Sequence, residues 1–276
     1  DFFNNYFGEV TAVLTAFLWT FTALFFEAAG KKIGSLAVNI LRLSMAFVLL
    51  SVYNSVVRGI MFPIDATQYQ WFWLILSGLV GFVIGDLFLF QAYVLIGARI
   101  SMLVMALAPL FSAVTGWLLL GESLSEMAIV GMLLTFAGIA IVVLNRPAKS
   151  EENGNNKFRL TLKHSPIGLL FALGGALGQG VGLVLSKYGM QGYDPFASSQ
   201  IRILAGIGGF ILIFTLSGNW NKVSAAFKEK KAIWLTFGGS IFGPFLGVSF
   251  SLLAVSYTSA GIAATLMSIV PDRKST

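Results

Sequence analysis

The chain has 276 residues, of which 57% are hydrophobic and only 11% charged, and its mean hydropathy is +0.83. A soluble domain with a polar surface cannot carry so apolar a composition, so we interpret the chain as an integral membrane protein. The formal net charge of +6 indicates basic loops that meet anionic lipid, not a nucleic-acid partner. With no cysteine and the single histidine His164, the sequence supports neither a metal site nor a cofactor.

Apolar segments of roughly 18 to 25 residues recur along the chain, each long enough to cross a hydrocarbon core about 30 Å thick as a helix. In chain order we predict nine spans, at about 8–28, 35–53, 71–93, 98–120, 127–144, 167–187, 196–216, 233–257 and from 259 onward. The polar stretch 146–166 reads as a surface linker between them. We therefore predict an all-α polytopic protein with a first unit at 1–145 and a second, truncated unit at 167–276.

The second half repeats the first in register. At an offset of 160 residues, small residues and one arginine recur: Gly8, Ala12, Ala16, Ala37 and Arg42 correspond to Gly168, Ala172, Ala176, Ala197 and Arg202. At an offset of 162, Gly81 and Gly85 correspond to Gly243 and Gly247. Because five spans are an odd number, the second copy must enter the membrane from the opposite side, which predicts an inverted repeat.

One further repeat ends in proline. Residues 97–109 return as residues 259–271, so that Pro109 corresponds to Pro271. Proline inside a helix removes a backbone donor and collides with the carbonyl four residues earlier, so we expect spans 4 and 9 to break at these points. Helices broken at matching places in two halves indicate a transport site at the repeat interface.

The basic residues are distributed unequally between the two sides of the membrane. If successive spans cross in alternation, twelve Lys and Arg residues lie on one side, and only Arg58 and Lys187 on the other. The positive-inside rule then places the linker in the cytoplasm and the amino terminus outside. We expect the protein in the inner or plasma membrane of the cell.

Charged residues inside the spans are the first candidates for function. Arg42 and Arg202 lie within roughly 3 to 6 Å of the middle of their spans, where a guanidinium costs about 2.5 to 3.5 kcal/mol on insertion scales. They either hold a carboxylate or phosphate of a substrate, or serve as structural arginines that cap carbonyls or reach the headgroups. Asp86 either takes up a coupling proton or pairs with Arg42; its repeat counterpart is Val248.

Four uncharged residues are further candidates for the substrate path. Trp19 corresponds to Gln179 in the repeat, and the two would form a stacking wall and a hydrogen-bonding wall of one cavity. Asn39 and Gln91 are amides inside spans, and such amides also serve only to bind neighbouring helices. The sequence contains no G-x-S-x-G or H-E-x-x-H motif and no evident nucleophile and base pair, so we do not expect an enzyme.

Two stretches carry a family resemblance. They are LRLSMA, which contains Arg42, and QAYVLIGARISMLVMALAPLFSAVTGWLLLGESLS, residues 91–125. With them the chain resembles EamA-type members of the drug/metabolite transporter superfamily. Membership implies ten spans in two inverted EamA repeats, about nine of them begun here, around a central cavity. The family is usually drawn with both termini in the cytoplasm, opposite to the charge count.

The resemblance also implies a function. The expected activity is secondary active transport of a small metabolite such as an amino acid, often coupled to protons, by alternating access. The partners implied are the metabolite, membrane lipid, protons and a second copy of the chain in a homodimer. The alternative is a non-transporting membrane fragment or assembly partner.

Overall fold

The computed structural model describes residues 6–123, 126–144 and 165–268, and this part of the chain contains helices and no strand. Seven of its helices are long and apolar enough to cross a membrane: Phe7–Ile33, Ser35–Val57, Gln68–Leu89, Ile100–Leu120, Pro166–Met190, Pro195–Ser217 and Lys230–Tyr257. The helix Glu126–Leu144 corresponds to span 5, and Ala260–Met267 begins span 9. The all-α polytopic architecture is confirmed. Most of the linker lies outside the described residues, and the division into units stays a prediction.

Spans 3 and 8 are not regular helices. Span 3 consists of Gln68–Gly78, a π-helical turn at Leu79–Gly85, and Asp86–Ile96. Span 8 consists of Lys230–Ser240, a π-helical turn at Ile241–Gly247, and Val248–Tyr257. The two π turns are separated by the same 162 residues as the repeated glycines, so the distortion belongs to the repeated unit.

A glycine ends each π turn for a steric reason. A Cβ on Gly85 would lie 3.3 Å from the carbonyl oxygen of Val80, and one on Gly247 would lie 2.8 Å from that of Phe242. Both carbonyls are five residues earlier, as the wider π turn requires. A larger residue at either position would push against the backbone that forms the turn.

Span 4 is broken where the sequence predicts it. Its first helix, Ala98–Met105, ends two residues before the second, Ala108–Leu120, and Pro109 occupies the first turn of that second helix. There its missing N–H costs no hydrogen bond, since the first N–H groups of a helix have no partner within it. The two helices of span 4 thus meet next to Pro109. Pro271 lies outside the described residues.

Helix packing follows the two-fold relation between the halves. Span 3 packs along span 6 as span 8 packs along span 1, and span 4 packs on span 6 as span 9 packs on span 1. Spans 2 and 7 pack on each other, with Leu43 beside Gly206, while Asn54 donates a hydrogen bond to Gln200 at 2.8 Å. As the residue number rises in span 2, it falls in span 7, so these counterpart helices are antiparallel. That direction supports an inverted repeat.

Glycines bring spans 3 and 6 into backbone contact. A Cβ on Gly178 would lie 2.7 Å from the Cα of Gly85, and one on Gly182 would lie 3.0 Å from the Cα of Gly81. Ser77 donates a hydrogen bond to the carbonyl of Gly182 across the same seam, at 2.6 Å. Such close approach is what small residues spaced four apart permit in membrane helices.

The two ends of the bundle differ in charge. At one end, Lys31, Lys32 and Lys231 line a cleft of about 560 Å³, and we name this end the lysine-rich face. At the other end Gly8 lies against Thr258, and a cleft of about 590 Å³ contains Lys187. We name this second end the sparse face. Lys31, Lys32 and Lys231 lie at one end and Lys187 at the other, as expected if successive spans cross the membrane in alternate directions. The assignment of the lysine-rich face to the cytoplasm stays a prediction.

Candidate functional site

Arg42 and Asp86 form an ion pair in the middle of the bundle. The other carboxylate oxygen of Asp86 accepts a hydrogen bond from Gln179 Nε2 at 3.0 Å, and the same amide donates to the carbonyl of Gly81 at 3.2 Å. The side chains of Arg42 and Asp86 are 11% and 7% exposed. Of the two roles predicted for Asp86, pairing with Arg42 is confirmed. The network joins spans 2 and 3 of the first repeat to span 6 of the second.

Local backbone geometry positions these groups. Asp86 is the first residue after the π turn of span 3, where the extra residue changes the direction in which the following side chain points. Gln179 follows Gly178, the point of closest approach between spans 3 and 6. Its amide therefore lies within hydrogen-bonding distance of the Asp86 carboxylate. The Arg42 guanidinium also lies 5.3 Å from the ring centre of Phe26, where a cation–π attraction adds to the ion pair.

Arg202 has a different environment. It is 5% exposed, and its guanidinium carbon lies 4.9 Å from the ring centre of Phe82. Among the described residues its Nε has no hydrogen-bond partner, and none of the carboxylates there forms an ion pair with it. A Cβ on Gly81 would lie 3.4 Å from Arg202 Nη2, so the guanidinium passes directly over the π turn. Within the described part of the chain, Arg202 is therefore a buried cation with an aromatic ring beside it and no carboxylate paired to it.

The side chains of the two arginines contact successive turns of span 3. Arg202 contacts Gly81 and Phe82, and Arg42 contacts Asp86, four residues and about 6 Å further toward the lysine-rich face. Val248, which corresponds to Asp86 in the repeat, is a buried apolar residue, so the second half has no acid at that position. The two arginines therefore correspond in the sequence repeat, but both contact span 3, and in the described part of the chain only Arg42 has an acid beside it.

The remaining predicted residues lie in separate places. Trp19 is half-buried beside Gly247 and packs against the cluster that contains Phe82 and Val248, in the position that Gln179 has in the other half. Asn39 is fully buried, and neither atom of its amide has a partner among the described residues. Gln91 is exposed. A role for these residues in a substrate path stays a prediction.

A second charged site at the sparse face was not predicted from the sequence. The Glu122 carboxylate accepts hydrogen bonds from Lys187 Nζ at 2.6 Å and from the backbone N–H of Ala260 at 3.0 Å, and Lys187 also donates to the carbonyl of Thr258 at 2.7 Å. Gly121, in the left-handed conformation with φ 66°, ends span 4 and turns the chain toward span 9. Glu122 thereby connects the end of span 4 to spans 6, 8 and 9.

A third cluster, formed by Arg58, Asp65 and Tyr193, lies at the same face beside the end of span 2. Arg58 donates to Asp65 at 2.5 Å, and the Tyr193 hydroxyl donates to the same carboxylate at 2.7 Å. Partial burial opposes the ionisation of Asp65, but the Tyr193 hydrogen bond and the Arg58 charge outweigh it and lower the pKa of Asp65. Burial and the bond to the Asp65 carboxylate raise the pKa of Tyr193 to about 12. This cluster joins the loop after span 2 to the loop after span 6.

Two repeated sets of spans, with the counterpart spans 2 and 7 antiparallel and an ion pair and an amide joining the sets, define a multi-pass membrane protein of the inverted-repeat type. A sequence model of the EamA-like transporter family matches residues 6–144 and 166–271. The chain belongs to that family, within the drug/metabolite transporter superfamily, and the resemblance seen in the sequence is confirmed. A search of curated proteins found no similar relative.

Proposed function

We propose that the protein is a secondary transporter that moves a small metabolite, such as an amino acid, across the inner or plasma membrane by alternating access. Membership of the EamA-like transporter family supports the general activity. The observation that carries the proposal is the Arg42, Asp86 and Gln179 network, because it joins the two repeats inside the apolar spans beside a distorted helix. Ionisable groups at that depth are costly and usually mark a transport pathway.

In this mechanism Asp86 couples a proton to the movement of the repeats. While ionised, the carboxylate holds Arg42 and Gln179, and so keeps spans 2, 3 and 6 in one arrangement. Protonation removes the charge that holds Arg42, so the guanidinium is free to take another partner and the repeats to shift. Substrate binding and proton binding are then linked through the state of one carboxyl group.

Transport by the purified protein in liposomes tests this proposal. We would measure uptake of labelled amino acids and small organic acids with and without a pH gradient, for wild type and Asp86→Asn. We expect at least one saturable substrate whose accumulation the gradient raises tenfold or more in wild type, while Asp86→Asn retains exchange but loses the response to the gradient. Asp65→Asn is the matched control, since it removes a paired carboxylate from the sparse face and should leave both activities intact.

Two results would contradict the proposal. If no compound crosses faster than in protein-free liposomes, the alternative of a non-transporting assembly partner is favoured, and the mass of the protein in mild detergent would then show whether it forms a homodimer or a larger complex. If Asp86→Asn responds to the gradient as wild type does, Asp86 is not the proton site. The first result would contradict transport itself, and the second would contradict only the role assigned to Asp86.

A further inference from the structure

In the part of the chain that the structure describes, the centre of the bundle contains two arginines, Arg42 and Arg202, and one acid, Asp86. Arg42 and Asp86 neutralise each other, while Arg202 has no acid beside it in the described part of the chain. A buried guanidinium without a counter-ion is destabilising, because desolvation removes its favourable interaction with water. The Phe82 ring offsets part of that cost through a cation–π attraction. A bound anion would stabilise the remaining positive charge of Arg202.

Hydroxyl groups near Arg202 point to the same chemistry. Ser198 and Ser199 are fully buried, and their hydroxyl oxygens have no hydrogen-bond partner among the described residues. They precede Arg202 by four and three residues, and therefore lie on the same face of span 7. Three unsatisfied polar side chains, a guanidinium and two hydroxyls, thus occupy one turn of a buried helix. All of them can donate hydrogen bonds to an oxyanion.

We infer that Arg202 binds the anionic group of the transported metabolite, a carboxylate or a phosphate, while Ser198 and Ser199 supply further donors. This inference rests on the proposed transport function and narrows its substrate class to anions. Arg42 is not the first anchor, because Asp86 already neutralises its charge, although its Nε also has no partner among the described residues. The anion site therefore lies nearer the sparse face than the ion pair does, by about one helical turn.

Substitutions at Val248 test the inference, since this buried residue of span 8 corresponds in the repeat to Asp86, the acid that pairs with Arg42. The probes are benzoate, its uncharged isostere benzamide, and inorganic phosphate, each titrated against the melting temperature of the purified protein. For wild type we expect benzoate or phosphate to raise the melting temperature by 2 °C or more, and benzamide to have less than a quarter of that effect. Val248→Asp should raise the half-saturating anion concentration at least tenfold.

Val248→Asn is the matched control, because it has the size of the aspartate without its charge, and it should stay within threefold of wild type. If Val248→Asp does not fold, Arg202→Gln and Arg202→Lys replace it: the first should abolish the anion effect and the second retain part of it. Stabilisation by phosphate alone assigns the site to phosphate esters, and stabilisation by benzoate alone assigns it to carboxylates.

The inference is overturned if neither anion stabilises wild type more than benzamide does, or if Val248→Asp and Val248→Asn behave alike. These outcomes are distinct from a failure of the proposed function. A transporter of neutral substrates would still show saturable flux in liposomes, with no preference for anions and no effect of a charge at residue 248. A protein that does not transport would show no flux with any probe.

Discussion

Replacing Glu122 by glutamine should destabilise the protein measurably, because its carboxylate serves two donors at the sparse face. In the structure it accepts from Lys187 Nζ at 2.6 Å and caps the backbone N–H of Ala260 at the start of span 9. Glutamine keeps one acceptor oxygen but loses the charge that attracts both Lys187 and the positive end of the helix. Of the two, the bond to Lys187 is the stronger, since both groups are ionised.

The size of the effect follows from burial. Fully exposed ion pairs contribute about 0.2 to 1 kcal/mol, and removing one partner of a fully buried pair costs about 3 to 5 kcal/mol. The side chains of Glu122 and Lys187 are 15% and 23% exposed, which places them between these limits. We therefore expect Glu122→Gln to lower the free energy of unfolding by about 2 kcal/mol.

Unfolding by SDS in mixed micelles, followed by tryptophan fluorescence, measures this difference. The matched control is Asp65→Asn, which breaks an ion pair at the same face whose carboxylate is 37% exposed, and for which we expect about 0.5 kcal/mol. A double-mutant cycle with Lys187→Met should give a coupling energy of about 1.5 kcal/mol. The reasoning is refuted if Glu122→Gln costs no more than Asp65→Asn, or if the two substitutions at Glu122 and Lys187 are additive.

Three further predictions concern glycines and pH. Gly116→Ala should cost about as much as Glu122→Gln, since its Cβ would lie 2.7 Å from the carboxylate, whereas Gly131→Ala, with no atom within 4 Å, should be neutral in the same assay. Gly178→Ala should lower the free energy of unfolding by about 1 to 3 kcal/mol by separating spans 3 and 6, and a cost equal to that of Gly131→Ala would contradict this. Because folding lowers the pKa of Asp65, its stabilisation is complete above its ordinary pKa of 3.8 and declines as pH falls through the folded value. The stability advantage of wild type over Asp65→Asn should therefore be constant from pH 7 to about 4.5 and shrink below that, and an advantage that grew on acidification would refute it.

The spans and the central ion pair follow from strong sequence signals. A membrane helix must be apolar over its whole length, so the boundaries predicted from hydropathy agree with the helices to within a few residues. A charged residue at the middle of a span needs a partner, and few acids lie at that depth, so Asp86 is a natural partner for Arg42. Both inferences depend on the exclusion of polar and charged groups from the membrane, and the polarity of each residue is known from the sequence.

The Glu122 site could not be predicted in this way, because each of its residues has an ordinary local explanation. A Gly-Glu pair after a span is typical of a helix end followed by a polar loop, and Lys187 near the end of span 6 resembles any interfacial lysine. Their contact depends on how far spans 4 and 6 are offset along their axes. That offset is determined by the glycines of the packed helices, and hydropathy carries no information about it.

The π turns were missed for a related reason, although their signal is present in the sequence. The recurrence of Gly81 and Gly85 as Gly243 and Gly247 predicts close packing, and Gly81, Gly85 and Gly243 do face neighbouring helices. Gly85 and Gly247 have an additional role, since each also makes room for a carbonyl five residues earlier. Periodicity alone cannot separate these two uses of a glycine, because both require only the absence of a side chain.

Arg42 is paired with an acid, whereas Arg202 has no acid beside it in the described part of the chain. This difference has a consequence for the proposed transport mechanism. In an inverted repeat, exchanging the conformations of the two halves converts an arrangement open to one face into an arrangement open to the other. If both arginines had acids, the two arrangements would offer a substrate the same charge. In the described part of the chain only Arg42 has one, so in the proposed mechanism the anion would bind first at Arg202, and Arg42 would become available when Asp86 is protonated. A proton would then be required for the anion to pass from Arg202 to Arg42, which would link the proposed proton coupling to the proposed substrate class through one difference between the repeats, Asp86 in the first and Val248 in the second.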